Sequence, residues 1–292
     1  MTYQFADVNG TNIHYEERRT AQGTGTAVVL IHAGINNLDM WDDQMDAFAK
    51  QHRVIRYDVR GWGETACPEP IEGADPPGHY SDHDDLRGLL NHLGITQAAL
   101  VGCSAGGKIA LDFALVYPEM VHKLVLVGPG LGGYEWTYAG ISEKTEAMRS
   151  AYQRGEEEQA AELWTQVWVD GPSRTSEQVE TAVRQRAYDM ILHMFRLPEG
   201  DGERQEIDPP AIERLGNIQA PMLIIVGEHD TPDIHAIIDL LIKQIPDVRQ
   251  IQMANTAHML NMEKPTEFNQ IVLNFLAQIP GEKKGENLDE QK

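Results

Sequence analysis

The feature that most restricts this chain is a set of four short apolar runs, at residues 27–31, 98–103, 123–127 and 222–226. Each is rich in Val, Ile and Leu, ends at or near a Gly or His, and lacks polar alternation. Unbroken apolarity of this kind suits strands covered on both faces, as in a parallel sheet. Residues 54–57 and 248–253 read as two further strands of that sheet. Residues 3–16 read as a hairpin turning at Asn9-Gly10.

Helical patterns fall between these strands: residues 85–93 with Gly94 as the stop, 106–117 ending before Pro118, and 266–277 after Pro265. Strands alternating with helices predict an α/β protein with a mostly parallel, doubly wound sheet. From about residue 130 to 215 the alternation fails. That stretch offers only helical segments, at 143–154, 156–169 and 177–194. The expected organisation is therefore a core of residues 1–129 and 216–280, a helical cap over one sheet edge at 130–215, and a disordered polar tail at 281–292.

Charge narrows the function. The chain has 24 basic and 45 acidic residues, a formal charge of −21. Such a field repels phosphate backbones and excludes nucleic acid as an expected partner. It also disfavours anionic substrates and favours an uncharged one. Cys67 and Cys103 make no disulfide framework, and Cys103 lies within an apolar run as a small buried residue. No charged segment followed by an apolar one opens the sequence, and no apolar run is long enough to span a bilayer, so the expected location is cytoplasmic.

Residues 102–106, Gly-Cys-Ser-Ala-Gly, match G-x-S-x-G. The pentapeptide alone is weak, since a glycine-rich turn whose serine merely caps a helix would give the same letters. Its context is more specific: an apolar strand runs directly into it and a helix leaves it, as a nucleophile elbow requires. The turn would lift the Ser104 hydroxyl to the carboxyl end of the sheet, where open α/β folds bind ligands. A serine hydroxyl needs an adjacent base, and an imidazole with a pKa of about 6.5 suits that role.

Of eleven histidines, position favours His258, in the loop between the last predicted strand and the closing helix. His52, His92 and His122 fall away from that sheet edge, and His193 lies in the insertion. A carboxylate must then fix the base's tautomer. The strand at 222–226 ends in Gly227-Glu228-His229-Asp230, where Asp230, Glu228 and Asp233 compete. Asp230 is preferred, because Glu228 abuts the strand-ending glycine. Two backbone amides, on Gly34 after the first apolar run and on Ala105, are the expected oxyanion donors. His32 reads as a structural loop residue.

Together these motifs resemble the α/β-hydrolase superfamily over residues 27–130 and 221–279. In order they are IHAG, RYDVRGWGET at 56–65, GCSAG, and GEHD followed by AH. The resemblance implies Ser104 as nucleophile, His258 as base, Asp230 as acid and Gly34 with Ala105 as oxyanion donors. It gives Asp58 and Arg60 mainly structural roles. The family usually has His-Gly where this chain has His32-Ala33, which restricts the loop backbone. Residues 39–52 with RYDVRG look similar to the enol-lactonase and small-ester hydrolase branches. The family's dehalogenases carry an aspartate at the elbow, so Ser104 argues against that chemistry.

The expected activity is hydrolysis of a carboxylic ester or lactone through an acyl-enzyme, with neither metal nor organic cofactor. The same triad can also cleave carbon–carbon or amide bonds. A non-catalytic binding or signalling protein on this scaffold is the alternative of another class, and the complete triad argues against it. Trp136, Tyr138, Trp164, Trp168 and Phe195 could line an apolar pocket in the cap or simply pack its helices.

Overall fold

The computed structural model describes residues 3–19, 25–65, 79–197 and 202–278. The expectations for Cys67 and for the tail at 281–292 lie outside the described residues.

The chain begins with β1 (Tyr3–Val8) and β2 (Thr11–Arg18), paired antiparallel with Val8 opposite Thr11. Asn9 and Gly10 turn the hairpin with φ of 48° and 76°, the left-handed pair that a two-residue loop requires. There follow β3 (Gly25–Ile31), α1 (Asp42–Ala49), β4 (His52–Tyr57), α2 (Asp82–His92), β5 (Ala98–Cys103), α3 (Ala105–Val116) and β6 (Val121–Val127). The described sheet has eight strands, completed by β7 (Met222–Gly227) and β8 (Val248–Met253), in the order β1-β2-β4-β3-β5-β6-β7-β8. Every neighbouring pair from β4 onward is parallel.

All six residues of β5 and all six of β7 are buried, which is why their sequences carry no alternation. At the far edge, Arg249, Gln250 and Gln252 of β8 face solvent. Their polarity blunts a sheet edge that would otherwise invite pairing with another chain.

Between β6 and β7 the described residues form helices and no strand. They are α4 (Ala139–Gln153), α5 (Glu157–Thr165) and α6 (Thr181–Phe195), with short tight turns between and after them. The helix expected at 143–154 starts earlier, at Ala139, and two further boundaries also differ from the sequence reading. The helix expected at 156–169 ends at Thr165 and widens into a π turn at Gln166–Asp170. There Thr165 Oγ1 donates 2.8 Å to the Ala161 carbonyl, competing with the regular ladder. The helix expected from 177 starts instead at Thr181, because Thr175 and Gln178 close a capping box on the preceding turn.

After β7 come α7 (Pro232–Gln244), then β8, α8 (Leu260–Glu263) and α9 (Pro265–Leu276). Helix α7 buries Ile234, Ile237, Ile238 and Leu241 on one stripe. Among the described residues, no helix is long and apolar enough to cross a membrane.

The backbones of β3, β5 and α3 meet at two glycines. A Cβ on Gly102 would lie 2.2 Å from the Gly106 carbonyl oxygen, and one on Gly106 would lie 2.3 Å from that of Ile31. No side chain could yield there, because both obstacles are backbone. Gly106→Ala is therefore expected to destabilise the fold by about 1–3 kcal/mol, measured as a lowered urea midpoint with an unchanged m-value.

Candidate active site

Ser104 stands between β5 and α3 with φ 53° and ψ −114°, outside the regions a non-glycine residue ordinarily occupies. Its own backbone holds it there. The Ser104 amide donates to the Val127 carbonyl at 2.9 Å, and its carbonyl accepts from Gly130 at 2.9 Å and Lys108 at 3.0 Å. Such fixed strain exposes a short side chain at the end of a sheet strand.

His258 and Asp230 come from the loops after β8 and β7, and both are buried. His258 Nδ1 lies 2.8 and 3.1 Å from the two Asp230 oxygens. Because a carboxylate can only accept there, Nδ1 carries the hydrogen and Nε2 is left as the basic nitrogen. Nε2 is buried and, among the described residues, has no hydrogen-bond partner. The Thr231 amide donates to Asp230 Oδ1 at 2.7 Å and orients the carboxylate.

The three competing carboxylates thus separate. Asp230 lies against His258, whereas Glu228 accepts from the Asn255 amide at 2.8 Å. Asp233 accepts from Tyr134 Oη (3.0 Å), Thr137 Oγ1 (2.9 Å) and the Thr137 and Tyr138 amides. Burial pushes the Asp233 carboxyl up, but the donors from Tyr138, Thr137 and Tyr134 outweigh it and hold it below the usual carboxylate value.

Gly34 sits beside Ala105: a Cβ built on it would lie 3.2 Å from the Ala105 Cβ. The preceding amide, on Ala33, is engaged by Met40 Sδ at 3.2 Å. His32 Nε2 accepts from the Val59 amide at 2.9 Å, so its Nδ1 donates to the Ala33 carbonyl at 2.8 Å. Burial lowers the His32 pKa, in keeping with this neutral, bridging imidazole. Asp58 accepts from the Leu38 and Glu64 amides, and Arg60 makes a bidentate pair with Asp85 at 2.7 and 2.8 Å.

Three features were not anticipated from the sequence. Gly128 has φ +46°, and a Cβ on it would lie 2.8 Å from Asp230 Oδ2 and 2.9 Å from His258 Nδ1. Its signal was a glycine directly after an apolar strand. The Trp168 ring covers His258 at 4.6 Å between centroids, presented by the π turn, a form often found at functional sites. Finally, Glu263 accepts from the Ala257 amide at 2.8 Å and pairs with Arg174 at 2.6 Å. Arg174 also donates to the Val169 and Asp170 carbonyls. This chain ties the π turn to the His258 loop, and no local sequence pattern signals it.

A cavity of about 450 Å³ opens on Ser104, lined in part by Gly130, Gly132, Trp136, Trp168 and Ile207. A smaller one, which shares Ala105 with it, includes Gly34, Trp62, Asp82 and Arg204. Of the five aromatics considered from the sequence, Trp136 and Trp168 line the Ser104 cavity. Tyr138 lines a separate cleft, Trp164 packs on Trp168, and Phe195 packs on Tyr152. Among the described residues, no group of three or more His, Cys, Asp or Glu side chains is arranged to hold a metal ion.

Residues 26–265 match the family model of the alpha/beta hydrolase fold. The chain belongs to the α/β-hydrolase family. The hydrolase is 30% identical over 281 residues to a 2-hydroxy-6-oxononadienedioate/2-hydroxy-6-oxononatrienedioate hydrolase of Paraburkholderia phymatum, covering 92% of this chain and 93% of that one. It is 27% identical to a 2-hydroxy-6-oxo-6-phenylhexa-2,4-dienoate hydrolase of Comamonas testosteroni, covering 93% of each. In fold, the hydrolase matches the enol-lactonase of Burkholderia xenovorans with a TM-score of 0.73 at 23% identity, over 94% of this chain and 100% of the other.

Two outcomes follow from this geometry. Gly128→Ala is expected to push His258 and Asp230 apart and lower kcat/KM by about 10²-fold or more, with circular dichroism checking that the fold persists. Asp233 has a depressed pKa, so its stabilisation is present above its unfolded value of about 4 and is lost as pH falls through the lower folded value. In Tm measured against pH, the advantage of wild type over Asp233→Asn should shrink as pH drops below about 4.

Proposed function

We propose that this hydrolase cleaves an uncharged carboxylic ester or lactone by acyl transfer to Ser104, with residues 130–215 acting as the cap that selects the substrate. The observation that carries this reading is the buried His258–Asp230 pair, which holds Nδ1 on the carboxylate and leaves Nε2 without a partner among the described residues. Ser104 Oγ attacks the carbonyl carbon while His258 Nε2 takes its proton. The developing oxyanion is stabilised by the Gly34 and Ala105 amides. Collapse expels the alkoxide, which His258 protonates, and a water molecule repeats the sequence to free the acid and Ser104.

The preference for an uncharged substrate rests on the cations beside the cavities. Lys108 is already paired with Asp112 at 2.9 Å and with Glu206, and Arg204 with Asp82 at 3.3 Å. Burial would lower the Lys108 pKa, but the Asp112 and Glu206 carboxylates raise it above its ordinary value. A dicarboxylate would have to displace these internal partners.

A second reading comes from the relatives, whose names describe hydrolysis of 2-hydroxy-6-oxo dienoates, dienedioates and trienedioates. Here the same residues would cleave a carbon–carbon bond beside a ketone. A panel of aryl esters, lactones, amides and vinylogous diketones separates the two. Esters or lactones are expected to give the highest kcat/KM, and a preference for the diketone would establish the second reading instead. Ser104→Ala, and separately His258→Ala, should each lower kcat by about 10⁴-fold or more, with Asp230→Asn close behind. A Ser104→Ala protein that kept its activity would sink both readings.

A further inference from the structure

We propose that the cavity beside Ser104 is a slot for a flat apolar ring on the alcohol side of the substrate, as in an aryl ester. This deepens the acyl-transfer reading and rests on it for the direction of the leaving group.

The slot has a right-angled aromatic corner. The Trp136 and Trp168 rings meet edge to face, 6.2 Å apart at 89°. Each is backed by a further perpendicular ring, Tyr134 behind Trp136 at 5.9 Å and Trp164 behind Trp168 at 6.0 Å. Tyr134 is itself fixed by its hydrogen bond to Asp233. The corner is therefore held before any ligand arrives, which lowers the ordering cost of binding. Trp136 is 44% exposed, so part of its side chain stays accessible.

The cavity is also lined by Gly130 and Gly132, and by the paired Lys108 and Glu206. Neither glycine has a positive φ. A Cβ on Gly130 would lie 3.5 Å from its nearest neighbour, the Ser104 carbonyl oxygen, and one on Gly132 would lie 3.5 Å from Lys108 Cε. Those are ordinary contact distances, so neither backbone conformation nor packing demands glycine. As glycines, the two contribute only backbone to the cavity wall. A flat ring can lie over bare backbone and present its edge or face to the two indoles, a geometry that aromatic pairs favour.

The direction follows from Trp168, which lines the slot and also covers the His258 ring. The group nearest His258 is the one it protonates, the leaving oxygen. The acyl portion is then directed past Ala105 toward the smaller cavity at Gly34 and Trp62.

The test compares 2-naphthol with decahydro-2-naphthol, the same carbon skeleton without the flat rings, by calorimetric titration of Ser104→Ala protein. The flat alcohol should bind about tenfold more tightly or better. Adding Gly132→Val, or separately Trp136→Ala, should remove most of that preference. In the Ser104-containing enzyme, the ratio of kcat/KM for 2-naphthyl acetate to that for decahydro-2-naphthyl acetate should fall about tenfold with either change. Equal binding of the two alcohols, or a preference that survives both substitutions, overturns the slot. A fluorophosphonate that fails to label Ser104 would instead overturn acyl transfer, and the binding comparison would still decide the slot.

Discussion

Three backbone segments meet beside Ser104 more closely than any side chain would permit. Gly102 lies against the Gly106 carbonyl, and Gly106 lies against the carbonyl of Ile31. This contact brings the end of β3, the end of β5 and the start of α3 to one point. Close packing leaves no room to relax it, so the geometry passes directly to Ser104. The residue's unusual φ is the consequence, held by backbone hydrogen bonds to Val127, Gly130 and Lys108. Gly34 arrives beside Ala105 for the same reason, because β3 and β5 are parallel neighbours in register.

The parallel sheet does the rest of the assembly. Strands β3, β5, β6, β7 and β8 all point the same way, so the loops after them open on one edge. Those loops carry Gly34, Ser104, Gly128, Asp230 and His258. The helical segment between β6 and β7 reaches that edge through two polar anchors. Asp233 gathers the backbone and side chains of residues 134–138. The buried Arg174–Glu263 pair joins the π turn to the His258 loop. Losing one partner of such a pair strands a buried charge, typically at a cost of about 3–5 kcal/mol. The segment that presents Trp168 is thus coupled to the loop that presents His258.

Much of this was legible in the residues. The apolar runs lie within β3, β5, β6 and β7, because strands covered on both faces have no reason to alternate. The Asn9-Gly10 turn announced the hairpin through its demand for positive φ. Helix α7 was not among the helices read, although Pro232 marks its start and Ile234, Ile237, Ile238 and Leu241 carry its period. The residues of the π turn carry the same pattern as continuous helix, since its cause is one hydroxyl's choice of acceptor. Gly128 passed unnoticed because a glycine after a strand has many possible reasons, and only its contact with Asp230 and His258 supplies the actual one.

By itself, the sequence determined the fold class, the strand–turn–helix around Ser104 and a short set of candidate side chains to stand beside it. Those properties depend on local periodicity, on glycine placement and on residue type, all of which a linear chain displays. Only the tertiary structure puts Asp230, rather than Glu228 or Asp233, against His258, since all three lie within a few residues and differ only in what faces them. It also decided that Trp136 and Trp168, but not Trp164 or Phe195, reach the cavity. Those outcomes depend on distances between segments far apart in the chain, which local pattern does not encode.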